Sequence, residues 1–560
     1  MKKKKNYFIS LSLLIIILFY ILLPISTGIF GTILPSLGYY PNISTKLSFE
    51  FFIDSFETYG LMKSAFLSVF VGLFSTLLSL IISQLVLSKV FFTKFYFYLK
   101  KIIIPLIAFP HITMAVGVAF LFASSGFFSR IYSLFVAGLD RPPNSNFFPD
   151  DFGFFLILGL ILKEVPFFLL MSINVLSQFD SKKYFDSGKI LNYSTFSSWL
   201  FFVFPQIYKK LRLSIIIVLI FCSSVVDMSY VLAPTTPSTL SIRIIELYQM
   251  PDIKNISLAS CLSIIQFFLI IGMIGVWLAC EMILKNAKSF YFCLMIYLRN
   301  MKLGENFLFI MCLFIMSISI LCIFVSLIWS MSVAWLYPDL LPKNITINNF
   351  TVFLIDFSKS FFNTIYIGFF VSLLSCTIIL GWLEITNYLN FKNKYIEFIF
   401  FIPLIIPELS FLLGVNYFLI RNNLDGNLIS LIWIETLYII PYTYLVLMPA
   451  FRGINVNFIQ IAKTYQKSSF NIFFFVKLPL IQKAVFLSLG IGFLVSIALY
   501  TPVYFIGDGK ISTLSLEVVN LSFGGNRKDL GVVTVLQMIL PLLILSLIFY
   551  VSKVAVKWRF

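Results

Sequence analysis

Asp186-Ser-Gly-Lys-Ile-Leu-Asn192-Tyr-Ser194, continuing to Phe201-Phe-Val-Phe-Pro205, is written a second time in this chain. The second copy reads Gln460-Ile-Ala-Lys-Thr-Tyr-Gln466-Lys-Ser468 and continues to Phe475-Val-Lys-Leu-Pro479. A constant shift of 274 residues aligns the copies without a gap. Under it Lys189 pairs with Lys463, Ser194 with Ser468, Phe196 with Phe470, Phe201 with Phe475, Pro205 with Pro479 and Lys209 with Lys483. The shift holds through the next apolar run and matches Ser238-Thr-Leu-Ser241 to Ser512-Thr-Leu-Ser515. Earlier in each half, Pro110-His-Ile-Thr-Met-Ala-Val-Gly-Val118 matches Pro407-Glu-Leu-Ser-Phe-Leu-Leu-Gly-Val415. The chain is therefore two tandem halves.

What surrounds these repeats is bilayer material. Of the 560 residues, 60% are hydrophobic and 12% charged, against nearer half and a quarter in soluble domains. A spanning helix needs about 20 apolar residues. Such runs fall at roughly 7–30, 63–87, 102–125, 153–176, 211–232 and 257–284, then at 306–333, 362–385, 397–420, 428–450, 484–505 and 529–552. The expected fold is an all-α membrane protein of two tandem six-helix halves, residues 1–284 and 306–560. The repeated loops lie at 178–210 and 452–483, and a linker covers 285–305. Six spans per half give both halves one orientation, a parallel repeat. Met1-Lys-Lys-Lys-Lys5 and the run after it look like a signal peptide. That run is longer than the usual apolar region of about 7–15 residues, so it reads as a retained first span. Lys and Arg favour the cytoplasmic side. They crowd both termini, both repeated loops and the linker around Lys288 and Arg299, which places all of these inside the cell. The linker's Ser289–Leu298 reads as an interfacial helix.

The net charge of +17 sits between apolar runs rather than on one face of a soluble domain, so the lipid bilayer is the expected partner and nucleic acid is not. The seven cysteines show no CxxC spacing and His111 is the only histidine. No metal site and no nucleophile–base set is expected. Gly507-Asp-Gly-Lys510 lacks the earlier glycine and the following Ser or Thr of a phosphate-binding P-loop. Ionisable residues inside spans are His111, Lys163, Glu164, Asp227, Glu408 and Glu435. Each costs about 2.5–3.5 kcal/mol at a bilayer centre, so such groups face the bundle interior. His111, Glu164, Asp227, Glu408 and Glu435 are the candidates for a translocation path, with interhelical hydrogen bonding as the structural alternative. His111 and Glu408 hold matched repeat positions, each after a proline. Lys163 and Glu164 are adjacent and read as neutralising one another.

A basic loop lying on anionic lipid explains the lysines of the repeated segments, but not their shared Pro and Ser register. A loop repeated once per half offers equivalent docking surfaces to a two-fold partner. The segments resemble the EAA loop of permease subunits of ABC importers, a Glu-Ala-Ala triplet, a following Gly and an aliphatic-Pro pair. The resemblance places the triplet on Asp186, Ser187 and Gly188 and on Gln460, Ile461 and Ala462. It places the closing prolines at Pro205 and Pro479. The family glycine falls on Asn192 and Gln466, a departure that asks for backbone freedom at those points. Pro110–Thr113, Arg141-Pro-Pro143, Leu162–Phe167, Ser224–Asp227, Pro234–Leu240 and Leu521–Asn526 are similar to fused permeases of the YnjC type, related to thiamine and ferric-iron permeases. The resemblance implies a type I ABC importer permease fold and a multi-pass subunit of the bacterial inner membrane. Its implied partners are two copies of a cytoplasmic ATPase that carry the ATP and Mg²⁺, and a periplasmic substrate-binding protein. Each loop would dock as a coupling helix, with Phe185, Leu191, Ile461 and Tyr465 as apolar knobs. The alternative is a twelve-span secondary transporter. It would put an acidic loop between spans two and three, where Ser88–Lys94 is purely basic, and no repeated loop after span four.

Overall fold

The computed structural model describes all residues except Met1, 40–46, 144–146, 288–292, 294, 298–302, 390, 392–393, 466–467 and 558–560. Most of the 285–305 linker, with Lys288 and Arg299, therefore lies outside the described residues, as does Gln466. The fold is all-α. Among the described residues nine single helices are long and apolar enough to cross a bilayer, and two bent pairs raise this to eleven. The remaining expected position is the fifth. There the helix Phe204–Ser224 carries Lys209, Lys210 and Arg212 in its early turns, which leaves a short apolar part.

Four expected spans are broken rather than continuous. The third of each half stops and restarts at a proline, as Phe95–Ala108 then His111–Phe122, and as Ile402–Ile405 then Glu408–Arg421. The second of these turns by 93°. Proline gives no N–H and forces its predecessor out of the helical region. Phe109 and Ile406 accordingly sit at ψ 135° and 129°. The fifth of each half breaks again in register. Val225 and Leu499 are extended at ψ 134° and 126°, and new short helices start at Asp227 and Thr501. No proline precedes these residues. Two hydrogen bonds beside the first break show what replaces the ladder there: Met228 N–H donates to the Asp227 carboxylate (2.8 Å), and Ser229 Oγ to Val225 O (2.8 Å).

The chain forms two compact units that do not follow the order of the halves. One unit holds residues 1–34, 353–517 and 536–560; the other holds 35–352 and 518–535. Each unit thus includes the first span of the opposite half. In the first unit, helix Lys2–Ser36 crosses Glu408–Arg421 glycine to glycine. A Cβ on Gly414 would lie 1.9 Å from Gly28 O, and one on Gly31 would lie 2.8 Å from the Gly414 Cα. Trp433 Nε1 also donates to Tyr20 O at 3.1 Å. In the second unit, helix Leu303–Met331 crosses His111–Phe122 at Gly117, where a Cβ would meet Cys322 Cβ at 2.5 Å. Gly117 and Gly414 hold the same repeat position. Small residues at such crossings let helices approach where no hydrophobic effect drives them together.

Within the second unit, Leu61–Val90 packs through a stripe of small polar residues. Ser75, Thr76 and Ser83 are buried, and each hydroxyl donates to a carbonyl three or four residues back. Large apolar side chains such as Phe66, Phe362 and Phe369 point outward, as lipid-facing positions require.

Candidate functional site

The two repeated loops fold alike, and from the serine caps through the π-turns to the closing prolines they match under the 274 shift, while the caps of the preceding helices, Asp180 and Asn455, differ by one place. In the first, helix Ser181–Ile190 is capped by Asp180, whose Oδ1 accepts from Lys183 N. It ends with Asn192 at φ 60°. Tyr193 N donates to Gly188 O (3.1 Å) and Asn192 N to Lys189 O (3.0 Å). This is a Schellman stop that needs a left-handed residue where the family pattern has glycine. Ser194 then caps Thr195–Ser198, accepting from Ser197 N at 3.2 Å. A π-turn, Trp199–Val203, leads to Pro205. In the second, Asn455 caps Val456–Thr464, Ser468 caps Ser469–Ile472 with Asn471 N at 3.2 Å, and the π-turn Phe473–Lys477 leads to Pro479. Serine caps satisfy N–H groups a helix start leaves over, which explains why the matched serines recur.

Side-chain placement sorts the expected docking residues. Asp186, Leu191, Asn192, Gln460, Ile461 and Tyr465 are exposed, and Pro205 and Pro479 are half-buried. Gly188 and Ala462 are buried at matched positions. A Cβ on Gly188 would lie 2.8 Å from the Ser198 side chain, so the third place of the triplet must be small. Phe185 corrects the expectation. It is only 7% exposed and stacks on Phe92 with ring centroids 4.3 Å apart, so it anchors the loop inward instead of serving as a knob. The outward residue is Ile190, 81% exposed. Sequence reading missed it. Its position five residues from Phe185, roughly 140° round the helix, was the available signal.

The polar groups inside spans cluster at the breaks. In the first unit, Glu408 opens the second part of span nine and Thr501 the second part of span eleven; Thr501 Oγ1 donates to Glu408 Oε2. Glu435 is buried and accepts from Ser496 Oγ at 2.5 Å. Tyr438 OH is buried there without a hydrogen-bond partner among the described residues. In the second unit, His111 and Asp227 hold the positions matching Glu408 and Thr501. The His111 ring stands edge-on to Phe221 at 4.5 Å, and its Nδ1 takes no partner among the described residues. Glu164 is buried beside Lys163 on helix Phe154–Leu176. Lys163 and Glu164 interact as charges, as expected, but the lysine has a second set of partners. Its ammonium reaches across to the broken third span and donates to Ile107 O (2.7 Å), Leu106 O (3.4 Å) and Phe109 O. Pro110 and the break leave those carbonyls short of donors, and an ammonium supplies up to three.

Comparison with known proteins follows the same lines. Residues 376–559, which hold the second repeated loop and the Glu408 break, match the family described as Binding-protein-dependent transport system inner membrane component. The fold, the paired loops and this match define a permease subunit of an ABC importer, a multi-pass protein of the inner membrane. Over 458 residues, 80% of this chain and 80% of the relative, it is 26% identical to the Inner membrane ABC transporter permease protein YnjC of Escherichia coli (strain K12). Subunits of this class work with an ATPase and a binding protein.

Proposed function

We propose that the two repeated loops each dock one copy of an ATPase subunit on the cytoplasmic side, and that the polar groups at the span breaks serve the translocation path. The observation that carries this reading is the shared build of the loops, with serine cap, π-turn and proline at the same shift of 274. Two surfaces so alike suit two copies of one partner. ATP and Mg²⁺ belong to that partner, and a substrate-binding protein meets the opposite face. Nucleotide-driven closure of the ATPases biases a two-state permease toward one access. The charge asymmetry of the sequence puts both termini on the ATPase side.

In support of a substrate role for His111 and Glu408, each sits half-buried at the first residue after a break. Broken helices at mid-membrane leave backbone groups free to line a cavity. The docking test uses the exposed residues. Ile190→Ala combined with Tyr465→Ala removes apolar area that a groove would cover, about 1.5–3 kcal/mol per side chain. It should sharply lower co-purification of the ATPase while the amount of folded permease holds. Phe185→Ala should do the reverse and reduce folded permease, because Phe→Ala in a core costs about 3–5 kcal/mol. Unchanged co-purification in the double variant would overturn the docking assignment.

A further inference from the structure

We infer that the two loops are tied to the spans by chemically different joints, and that Lys477 and Glu384 are the positioning pair that transmits motion from the second loop. This rests on the docking reading above. Lys477 is the last residue of the second π-turn, directly before Leu478-Pro479. Its side chain is 6% exposed and its ammonium donates to both Glu384 oxygens, at 2.8 and 2.6 Å. The same ammonium lies 5.4 Å from the Phe451 ring centre. Glu384 is near the end of helix Ser358–Tyr388 and Phe451 near the end of Leu428–Arg452. One buried cation therefore grips the second and fourth spans of its half. The next residue along, Arg452, is itself paired with Glu397.

The first loop reaches the same two spans of its own half by neutral groups. The position matching Lys477 is Val203, buried and apolar. At the other end of that π-turn, fully buried Trp199 donates through Nε1 to Gln84 Oε1 at 3.3 Å. Gln84 Nε2 donates in turn to Ser172 Oγ at 2.9 Å. Gln84 belongs to Leu61–Val90 and Ser172 to Phe154–Leu176. Both loops are thus bolted to spans two and four, one through an ion pair and one through an indole–amide–hydroxyl relay. A π-turn is a local widening common at functional sites, and here each one ends or begins on the residue that makes the joint. Charge-assisted bonds to a carboxylate are shorter and stronger than neutral ones, so the second loop is the more firmly held.

The test measures whether loop and span move as one body. Spin labels are placed on exposed Asn457→Cys in the second loop and Phe362→Cys at the far end of the span bearing Glu384, with Cys280→Ser and Cys293→Ser removing the exposed native thiols. The distance is read by pulsed electron resonance in the purified complex with its ATPase, nucleotide-free and with ATP plus vanadate. The parent should keep one narrow distance in both states. Lys477→Met and Glu384→Gln should each shift or broaden it on adding ATP plus vanadate, and the swap Lys477→Glu with Glu384→Lys should restore it. A comparable label pair in the first half, Lys183→Cys and Phe66→Cys, should be indifferent to Lys477→Met and respond to Trp199→Phe. A Lys477→Met complex that holds the parent distance in both states, with the ATPase still bound, would overturn the joint. Absence of the ATPase from the parent complex would instead overturn the docking reading. If Glu384→Gln yields no folded protein, Lys477→Met and the swap decide the matter alone.

Discussion

Replacing Gly414 with alanine adds one methyl at the closest helix approach of its unit. That methyl would sit 1.9 Å from Gly28 O, 2.7 Å from Gly31 C and 2.7 Å from Thr32 N. All three are backbone atoms, so no rotamer change can relieve the overlap. Ordinary contact begins near 3.4 Å, and the two helices must part by roughly 1.5 Å. A gap of about 0.5–1 Å already forfeits a quarter to a half of each dispersion contact along a seam. Overpacking costs about 1–3 kcal/mol, and a purely backbone obstacle belongs at the upper end. Against this, alanine gains about 0.5–1 kcal/mol over glycine inside a helix. The balance is a loss of about 2–2.5 kcal/mol, a factor of roughly 30–70 in the folded ratio. Gly275 is the control, since a Cβ there meets nothing within 4 Å. Gly275→Ala should keep only the helical gain and be neutral or slightly stabilising. Thermal midpoints of the detergent-purified permease measure both. Gly31→Ala with Gly414→Ala should cost less than the sum of the singles, because helices already parted accept a second methyl. If Gly414→Ala raises the midpoint as Gly275→Ala does, helix 2–34 does not cross at Gly414 and the reasoning fails.

Two further outcomes follow from the geometry. Lys163→Met strips donors from three carbonyls at the break in the third span. At about 1–3 kcal/mol per orphaned buried group, it should sharply reduce folded permease in the membrane, whereas Lys163→Arg, which keeps a donor-bearing cation, should recover part of that amount in the same fluorescence-detected size-exclusion assay. The exposed pair Asp425–Lys510, 2.8 Å apart, should make a small pH-dependent contribution. The hydrogen bond from Lys510 holds the Asp425 carboxyl below its usual range, and the bond to Asp425 raises Lys510. A lowered carboxyl pKa gives stability that is present above the ordinary value of about 3.9 and is lost as pH falls through the folded value. A raised lysine pKa gives stability that is present below about 10.4 and is lost as pH rises through the folded value. Asp425→Asn should therefore lower the thermal midpoint slightly at pH 6–8, and the difference from the parent should begin to shrink only as pH falls below the ordinary carboxyl value of about 3.9. A difference that vanishes already well above that value would count against the pair.

The repeated loops were legible in the sequence because caps and prolines act locally. Ser194, Ser468, Pro205 and Pro479 do the same work wherever the surrounding helices go. The breaks at Pro110 and Pro407 had an equally local signal, since proline interrupts a helix on its own account, but the apolar runs were read straight through it. The break after Val225 had no such signal, since no proline lies near it; the one after Leu499 has Pro502 three residues on, which denies Ala498 O its donor and went unread. Phe185 misled because a residue's exposure depends on which face of its helix meets the protein, and Phe92 lies 93 positions away along the chain. Lys163 was read against its neighbour Glu164 alone, while its hydrogen-bond partners are carbonyls freed by a proline in another span. Lys477 and Glu384 likewise become a pair only once the second span folds past the loop. The exchange of first spans left no trace beyond glycines in apolar runs, which suit many crossings equally well.

That exchange sets a schedule for synthesis. Gly31 leaves the ribosome 383 residues before Gly414. At about 5–20 residues per second the interval is roughly 20–80 s. For most of it, until residue 353 is made, the first helix has no partner from its own unit, and it must rest in lipid as a lone span. Phe8, Ile15, Ile16, Phe19 and Phe30 face outward along it even in the finished molecule, so much of its surface already suits lipid. The helix Leu303–Met331 meets the opposite situation, since Gly117 has already been made when Cys322 appears. One unit can therefore begin to close while the chain is still growing, and the other is completed last, when 536–560 joins 1–34 and 353–517.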